Sequence, residues 1–256
     1  MITRESRLFL RRWLHNPMQV GAIAPSSRRL ADAIAGQVPI DSPGWIIELG
    51  GGTGVVTDAL LRRGLAPGRL VVIERDPLLH RHLVERFPHV QVILGDAAKL
   101  VEALKPLGIR PPAQGAKSHG GAKSQGGGNG AGNGTAAGRV AAIISGLPLL
   151  TFPRPLQDEI VHGAFAFLPP GAPLLQFTYG PMSPIARDRL KLDGRVARRV
   201  IGNLPPASVW VYRRLGEWSK GDSLKAGSMK AQVRKALSRK DKAESPKAAA
   251  IKARRR

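Results

Sequence analysis

A chain of 256 residues, 43% of them hydrophobic, has room for one substantial α/β domain with appendages. It contains no cysteine, which excludes disulfides and cysteine-ligated metals, and no apolar run near the roughly 18 residues of a membrane-spanning helix. The formal net charge is +22; residues 214–256, with 14 Lys/Arg against 4 Asp/Glu, hold +10 of it, so residues 1–213 are basic too and the field suits a polyanion, either nucleic acid or an anionic bilayer surface.

At the N-terminus Arg4, Arg7, Arg11 and Arg12 interrupt any signal-peptide core, so a cytoplasmic location is expected. Ile2, Phe9 and Trp13 fall near one helical face with arginines beside it. Two readings fit: a helix at the membrane interface, or a helix docked on its own domain. Pro17 and Pro25 bracket a loop. Ser26 or Ser27 can cap a helix from Arg28 to about Val38, whose Leu30, Ile34 and Val38 share a side. Pro39 to Gly44 reads as a turn-rich connector.

Strand and helix then alternate. Strands are predicted at Trp45–Leu49, Leu70–Glu74, Val90–Leu94, Val140–Ser145 and Ala172–Thr178. The helices between them cover about Val55–Arg63, Pro77–Arg86, Ala97–Leu104 and Pro155–Phe167. This order argues for a parallel sheet with helices on both faces. Residues 110–138 break it with closely spaced glycines and no large apolar side chain, and are expected to be a flexible surface insertion. Val196–Ile201 and Ser208–Arg213 read as a hairpin closing the sheet edge. Lys220 to Arg256 is a basic, Ala/Ser-rich tail, expected to be disordered, whose charge suits anionic lipid, RNA or solubility alone.

The chemistry is concentrated at strand ends. Glu48-Leu49-Gly50-Gly51-Gly52-Thr53-Gly54 is a glycine-rich strand-to-helix turn, where doubly wound folds place a nucleotide-like ligand. The dinucleotide fingerprint G-x-G-x-x-G fails, with Val55 or Thr57 at its last position, and no lysine is present for a phosphate-binding loop. Glu48 brings a carboxylate suited to a cationic or hydroxyl-bearing group. Glu74 ends the second strand, placed to accept from both hydroxyls of a ribose; the plainer alternative is a surface carboxylate paired with Arg75. Asp96, in Gly95-Asp96-Ala97, can accept from an adenine amino group, cap the next helix, or do both. Glu48, Glu74 and Asp96 end successive strands and so converge at one sheet edge.

The glycine turn resembles motif I of the class I S-adenosylmethionine (SAM) methyltransferases, E/D-x-G-x-G-x-G, with Gly50, Gly52 and Gly54 in its glycine positions. The resemblance implies a Rossmann-like, doubly wound seven-stranded, mostly parallel sheet with a C-terminal antiparallel hairpin. It also implies SAM as the cofactor, held by Glu48, Gly50, Gly52, Gly54, Glu74, Arg75, Asp96, Ala97 and Ser145. In that class the turn after strand four contacts the methyl acceptor; here it is Ser145-Gly146-Leu147-Pro148-Leu149-Leu150. Enzymes acting on exocyclic base amines carry an aromatic in this turn to stack an extruded base. Leu149 stands in its place, and Phe152 is out of register.

Gly21-Ala22-Ile23-Ala24-Pro25-Ser26-Ser27, taken with the glycine turn, Gly95-Asp96 and Ser145–Leu150, resembles the bacterial phospholipid N-methyltransferases, which are related to the rRNA adenine dimethylases. The resemblance covers roughly residues 5–213; the glycine-rich insertion and the basic tail depart from it. It implies SAM-dependent N-methylation of the phosphatidylethanolamine headgroup toward phosphatidylcholine, on the inner face of the cell membrane. Residues 1–44 would form an N-terminal cap, 45–213 the methyltransferase domain and 214–256 the tail. Ser145, Gly146, Leu147 and Pro148 would position the acceptor. Arg11, Arg12, Trp13, Pro25, Ser26 and Ser27 would meet membrane or substrate. The expected partners are an anionic membrane surface and the phospholipid, with RNA as the alternative. His15 and His162 are conceivable bases or simply structural, and the scattered histidines lack metal-ligand spacing, so no metal is expected. Two rivals stand beside this reading: an RNA adenine N6-methyltransferase, favoured by charge and disfavoured by Leu149, and a non-catalytic basic binding protein on the same scaffold.

Overall fold

The apolar runs predicted as strands assemble into one seven-stranded sheet in a computed structural model that describes residues 28–112, 138–179, 182–202 and 206–215. The expectations for residues 1–27, including Arg11, Arg12, Trp13, Pro25, Ser26 and Ser27, lie outside the described residues, as do those for 113–137 and 216–256. In chain order the elements are α1 (Arg28–Ala35), β1 (Trp45–Leu49), α2 (Val55–Arg62), β2 (Leu70–Glu74), α3 (Pro77–Arg86), β3 (Gln91–Leu94), α4 (Leu100–Leu104), β4 (Val140–Ser145), α5 (Arg154–Phe167), β5 (Leu174–Tyr179), α6 (Arg187–Leu190), β6 (Leu192–Val200) and β7 (Ala207–Arg214).

The spatial order is β3-β2-β1-β4-β5-β7-β6. β3, β2, β1, β4 and β5 pair in parallel. β7 runs antiparallel between β5 and β6. The chain builds outward from β1 through β2 to β3, then returns to the other side of β1 with β4. Strand order therefore reverses between β1 and β4, and the carboxyl ends of these two strands flank the switch point where α/β folds hold their ligands.

Burial follows from this layering. Strands covered on both faces read as continuous apolar runs: all five residues of β2 and all six of β4 are buried. One face of the sheet carries α1, α2 and α3 over a core that includes Ile46, Leu60, Val72, Leu83, Ile144 and Val209. The other carries α4 and α5 over Ile47, Val71, Leu100, Ile143, Phe165 and Leu174.

Local chemistry sets the element ends. The Asp76 side chain accepts from the Leu78 and Leu79 N–H groups, and Pro77 opens α3 without wasting a donor. The helix expected to reach Val38 stops at Ala35, and the Arg63 guanidinium donates to the Ala35 and Val38 carbonyls, which also accept the Val38 and Ile40 N–H groups of the turn that follows. Arg69 does the same for the 39–44 connector, donating to the carbonyls of Ile40, Ser42 and Gly44. The helix expected over 97–104 divides into a 3-10 turn, Ala97–Lys99, and a single α-helical turn, α4.

Candidate functional site

The carboxyl ends of four neighbouring strands form the site. Leu94, Glu74, Leu49 and Ser145 close β3, β2, β1 and β4, and backbone bonds tie the loops that leave them. Gly50 N–H donates to Ile73 O at 2.8 Å, Gly95 N–H to Glu74 O at 2.9 Å, and Gly146 N–H to Leu49 O at 2.8 Å. The three acidic positions and the Ser145–Leu150 turn thus share one edge, as their places in the sequence imply.

Gly50, Gly52 and Gly54 all take positive φ. At Gly52, φ is +55° and a Cβ would meet nothing within 4 Å, so this glycine faces open space. Its N–H donates to Glu74 Oε2 at 2.8 Å, while Glu74 Oε1 accepts from Asp76 N–H at 2.9 Å. Glu74 is therefore a buried carboxylate that joins the glycine turn to the end of β2, and not a surface group. No Glu74–Arg75 ion pair occurs among the described residues, and Arg75 is exposed. Gly54 sits where a Cβ would lie 2.4 Å from the Phe87 ring, which locks the start of α2 against the end of α3.

Glu48 lies one residue inside β1, 2% exposed. The hydroxyl it meets is a neighbour's: Thr57 Oγ1 donates to Glu48 Oε2 at 2.6 Å. Burial pushes its carboxyl up to about 8; the Thr57 bond draws it back and the negative charge of Glu74 pushes it further up. Asp96 accepts from Ala98 N–H at 3.0 Å and so caps the turn that begins at Ala97. The capping role is made through Oδ1.

The Ser145–Leu150 turn is held from two sides. A Cβ on Gly146 would stand 2.7 Å from the Gly50 carbonyl oxygen, so only glycine lets this turn lie against the glycine loop. Leu147 packs over Gly50. Gln176, buried on β5 opposite Ser145, donates through Nε2 to Leu147 O at 3.0 Å and to Phe177 O at 2.8 Å. Ser145 is itself buried, with its Oγ accepting a long bond from Leu147 N–H. Leu149, the residue in the aromatic position, is buried in the core, and Leu150 is the turn's exposed side chain. His162 sits eight residues into α5, about 12 Å along the helix from its start beside this turn, with Nδ1 bonded to the Asp158 carbonyl.

Thr57 and Gln176 carry no expected role in the sequence reading, although each left a signal. Thr57 stands between Val56 and Ala59 on the buried face of α2, and Gln176 interrupts Leu174-Leu175 and Phe177. A polar residue inside an apolar run must find a partner, and both found theirs at the site.

The strand order, the glycine turn and the acidic strand ends define the fold of the class I SAM-dependent methyltransferases. No family model matches the chain. Over 213 residues it is 27% identical to ornithine lipid N-methyltransferase of Singulisphaera acidiphila, an alignment spanning 82% of this chain and 96% of that protein. The likeness to lipid N-methyltransferases read from the motifs is thus met along most of the sequence. Solved structures similar to it include a TehB-like SAM-dependent methyltransferase of Corynebacterium glutamicum (14% identity, 82% of this chain and 98% of the other, TM-score 0.47). Another is magnesium protoporphyrin IX methyltransferase of Synechocystis with bound SAM (10% identity, 74% and 80%, TM-score 0.49).

Proposed function

We propose that the protein is a SAM-dependent N-methyltransferase acting on an amine-bearing membrane lipid. The observation that carries this reading is the Glu74–Gly52 bond, which ties the end of β2 to the glycine turn leaving β1 beside open space. The donor set fits SAM: a carboxylate with two accepting oxygens for a ribose, Asp96 at the next strand end for an adenine amine, and backbone free of side chains between them. When bound, SAM supplies an electrophilic methyl carbon. Glu74, Gly52 and Asp96 would hold it, and Ser145–Pro148 would orient the acceptor toward it. Arg75, exposed beside Glu74, and Ala97, at the capped turn, would flank the bound SAM.

The acceptor is the amino headgroup of phosphatidylethanolamine, with ornithine lipid as the second candidate, because that is the lipid named for the relative. Both offer a primary amine on a lipid headgroup. Such an amine must shed a proton before it attacks, and a desolvated site favours its neutral form. The aliphatic turn supports a lipid over a nucleobase, since it presents Leu147 and Leu150 and no ring. The N-terminal basic segment with Arg11, Arg12 and Trp13, and the tail, would add attachment to anionic lipid at the inner face of the cell membrane. Among the described residues no helix is long and apolar enough to cross a membrane.

The test offers the full chain methyl-labelled SAM with vesicles containing phosphatidylethanolamine, vesicles containing ornithine lipid, and total RNA. Label is expected in lipid, in phosphatidylethanolamine first. Label confined to RNA would establish the adenine-methylating rival, and no heat of SAM binding by calorimetry would leave only the non-catalytic scaffold.

A further inference from the structure

The sheet edge that carries the site also carries an unusual pairing of exposed apolar and cationic side chains. Leu150, Met182 and Ile201 follow β4, β5 and β6 and are 56%, 75% and 81% exposed. Strand register puts them on one rim: Ser145 pairs with Gln176, Tyr179 with Ala207, and Ala207 with Val200. β6 runs toward this rim, so Ile201 stands at the same edge as the acceptor turn. Beside it lies a groove of about 530 Å³ between α1 and β6, lined by Arg29, Arg198 and Arg199 among others. The groove's acid, Asp32, is already engaged by Arg62 at 2.7 Å. Arg29, Arg198 and Arg199 form no ion pair among the described residues.

Each feature alone is ordinary. An exposed aliphatic residue needs no explanation, and three arginines suit many anions. Together they discriminate. Aliphatic tips gain by entering an acyl boundary, whereas contacts to RNA bases favour rings. A cationic rim beside such tips matches an anionic leaflet.

We infer that the rim of Leu150, Met182 and Ile201, with the Arg29–Arg198–Arg199 groove, is the face that seats on an anionic phospholipid bilayer. This rests on the lipid reading above and adds the orientation: the acceptor turn faces the leaflet, so a headgroup amine enters without its lipid leaving the membrane.

The absence of native cysteine makes the test direct. Ile201→Cys, Met182→Cys and, as control, Val84→Cys near the far end of α3 are labelled with an environment-sensitive fluorophore in the full chain. Vesicles of phosphatidylglycerol with phosphatidylcholine should blue-shift and brighten the labels at 201 and 182 and leave that at 84 unchanged. Arg198→Ala with Arg199→Ala should weaken binding to these vesicles about thirtyfold, while methyl transfer to detergent-dispersed acceptor stays at the parent rate. The inference is overturned if the protein sediments with vesicles while the labels at 201 and 182 stay unshifted, if it does not bind them, or if the labels respond equally to RNA or to raised protein concentration. Loss of transfer in detergent by the arginine variant also overturns the inference, whereas no transfer in detergent by the parent chain would strike the catalytic reading, which the labels do not test.

Discussion

Glu74 makes two charge-assisted bonds to backbone N–H groups at 2.8 and 2.9 Å, one of them to the glycine turn itself. Such bonds are worth roughly twice neutral ones. Glu74→Ala is expected to weaken SAM binding by about a hundredfold, two such bonds' worth, in titration calorimetry. Unchanged affinity would remove Glu74 from the site. Glu48 makes a different prediction, in pH. Its folded carboxyl keeps its proton up to about 8, whereas the unfolded chain releases it near 4.5. Between these values the folded state binds the extra proton, so stability falls as pH rises through that window. Glu48→Gln removes the titration. Whatever the amide costs at all pH values, the variant should gain on the parent between pH 5 and pH 8, by on the order of 3 kcal/mol. Parallel melting curves across that range would contradict a buried, protonated Glu48. Gly146→Ala drives a methyl group against the Gly50 carbonyl, a backbone atom that cannot rotate away. It should lower stability by about 1–3 kcal/mol and slow methyl transfer. Gly68→Ala, with open space around it, should do neither.

Among the elements, the central strands were legible because both of their faces are buried and an apolar run has no other use. Leu70–Glu74 and Val140–Ser145 match their predicted bounds to the residue. The edge was not. β6 begins at Leu192, four residues before its predicted start, because Leu192-Asp193-Gly194-Arg195 buries only every second residue and one of those is glycine. The glycine is required by packing: a Cβ at 194 would lie 2.5 Å from both the Tyr212 ring and the Arg187 side chain. A composition reading treats that glycine as a breaker and cannot see the ring that fills its place. The short α6 escaped for the same reason. Its position depends on a tertiary pair, Arg189 forking onto the buried carboxylate of Asp158 in α5. Arg189→Ala leaves that carboxylate without its cation and should cost about 3 kcal/mol, the low end for a buried pair because Arg189 is itself half exposed. The exposed Arg62→Ala, which breaks two solvent-screened surface pairs, should cost much less. Equal losses in denaturant titration would contradict the burial of Asp158.

The whole molecule combines one candidate active edge with a charge of +22. The ends of three strands were readable because an acidic residue stands at or close to each: Glu48 one residue inside the end of β1, Glu74 at the end of β2 and Asp96 two residues past β3. What sequence alone could not supply was the aim of the Ser145–Leu150 turn: Leu149, which stands in the aromatic position, turns into the core, and Leu150 faces out. Charge acts at this scale as well. Vesicle binding should fall steeply as salt shortens the screening length from about 10 Å at 0.1 M toward 3 Å at 1 M, and salt-insensitive sedimentation would exclude electrostatic attachment.

The central claim, methyl transfer from this sheet edge to a lipid amine, is met most directly by mass spectrometry of the lipids of a host expressing the full chain, with the Glu74→Ala variant alongside. Mono-, di- or trimethylated headgroups should accumulate with the parent chain and be absent with the variant. A lipid profile identical for parent, variant and empty host, from cells that hold folded protein able to bind SAM, would contradict the account.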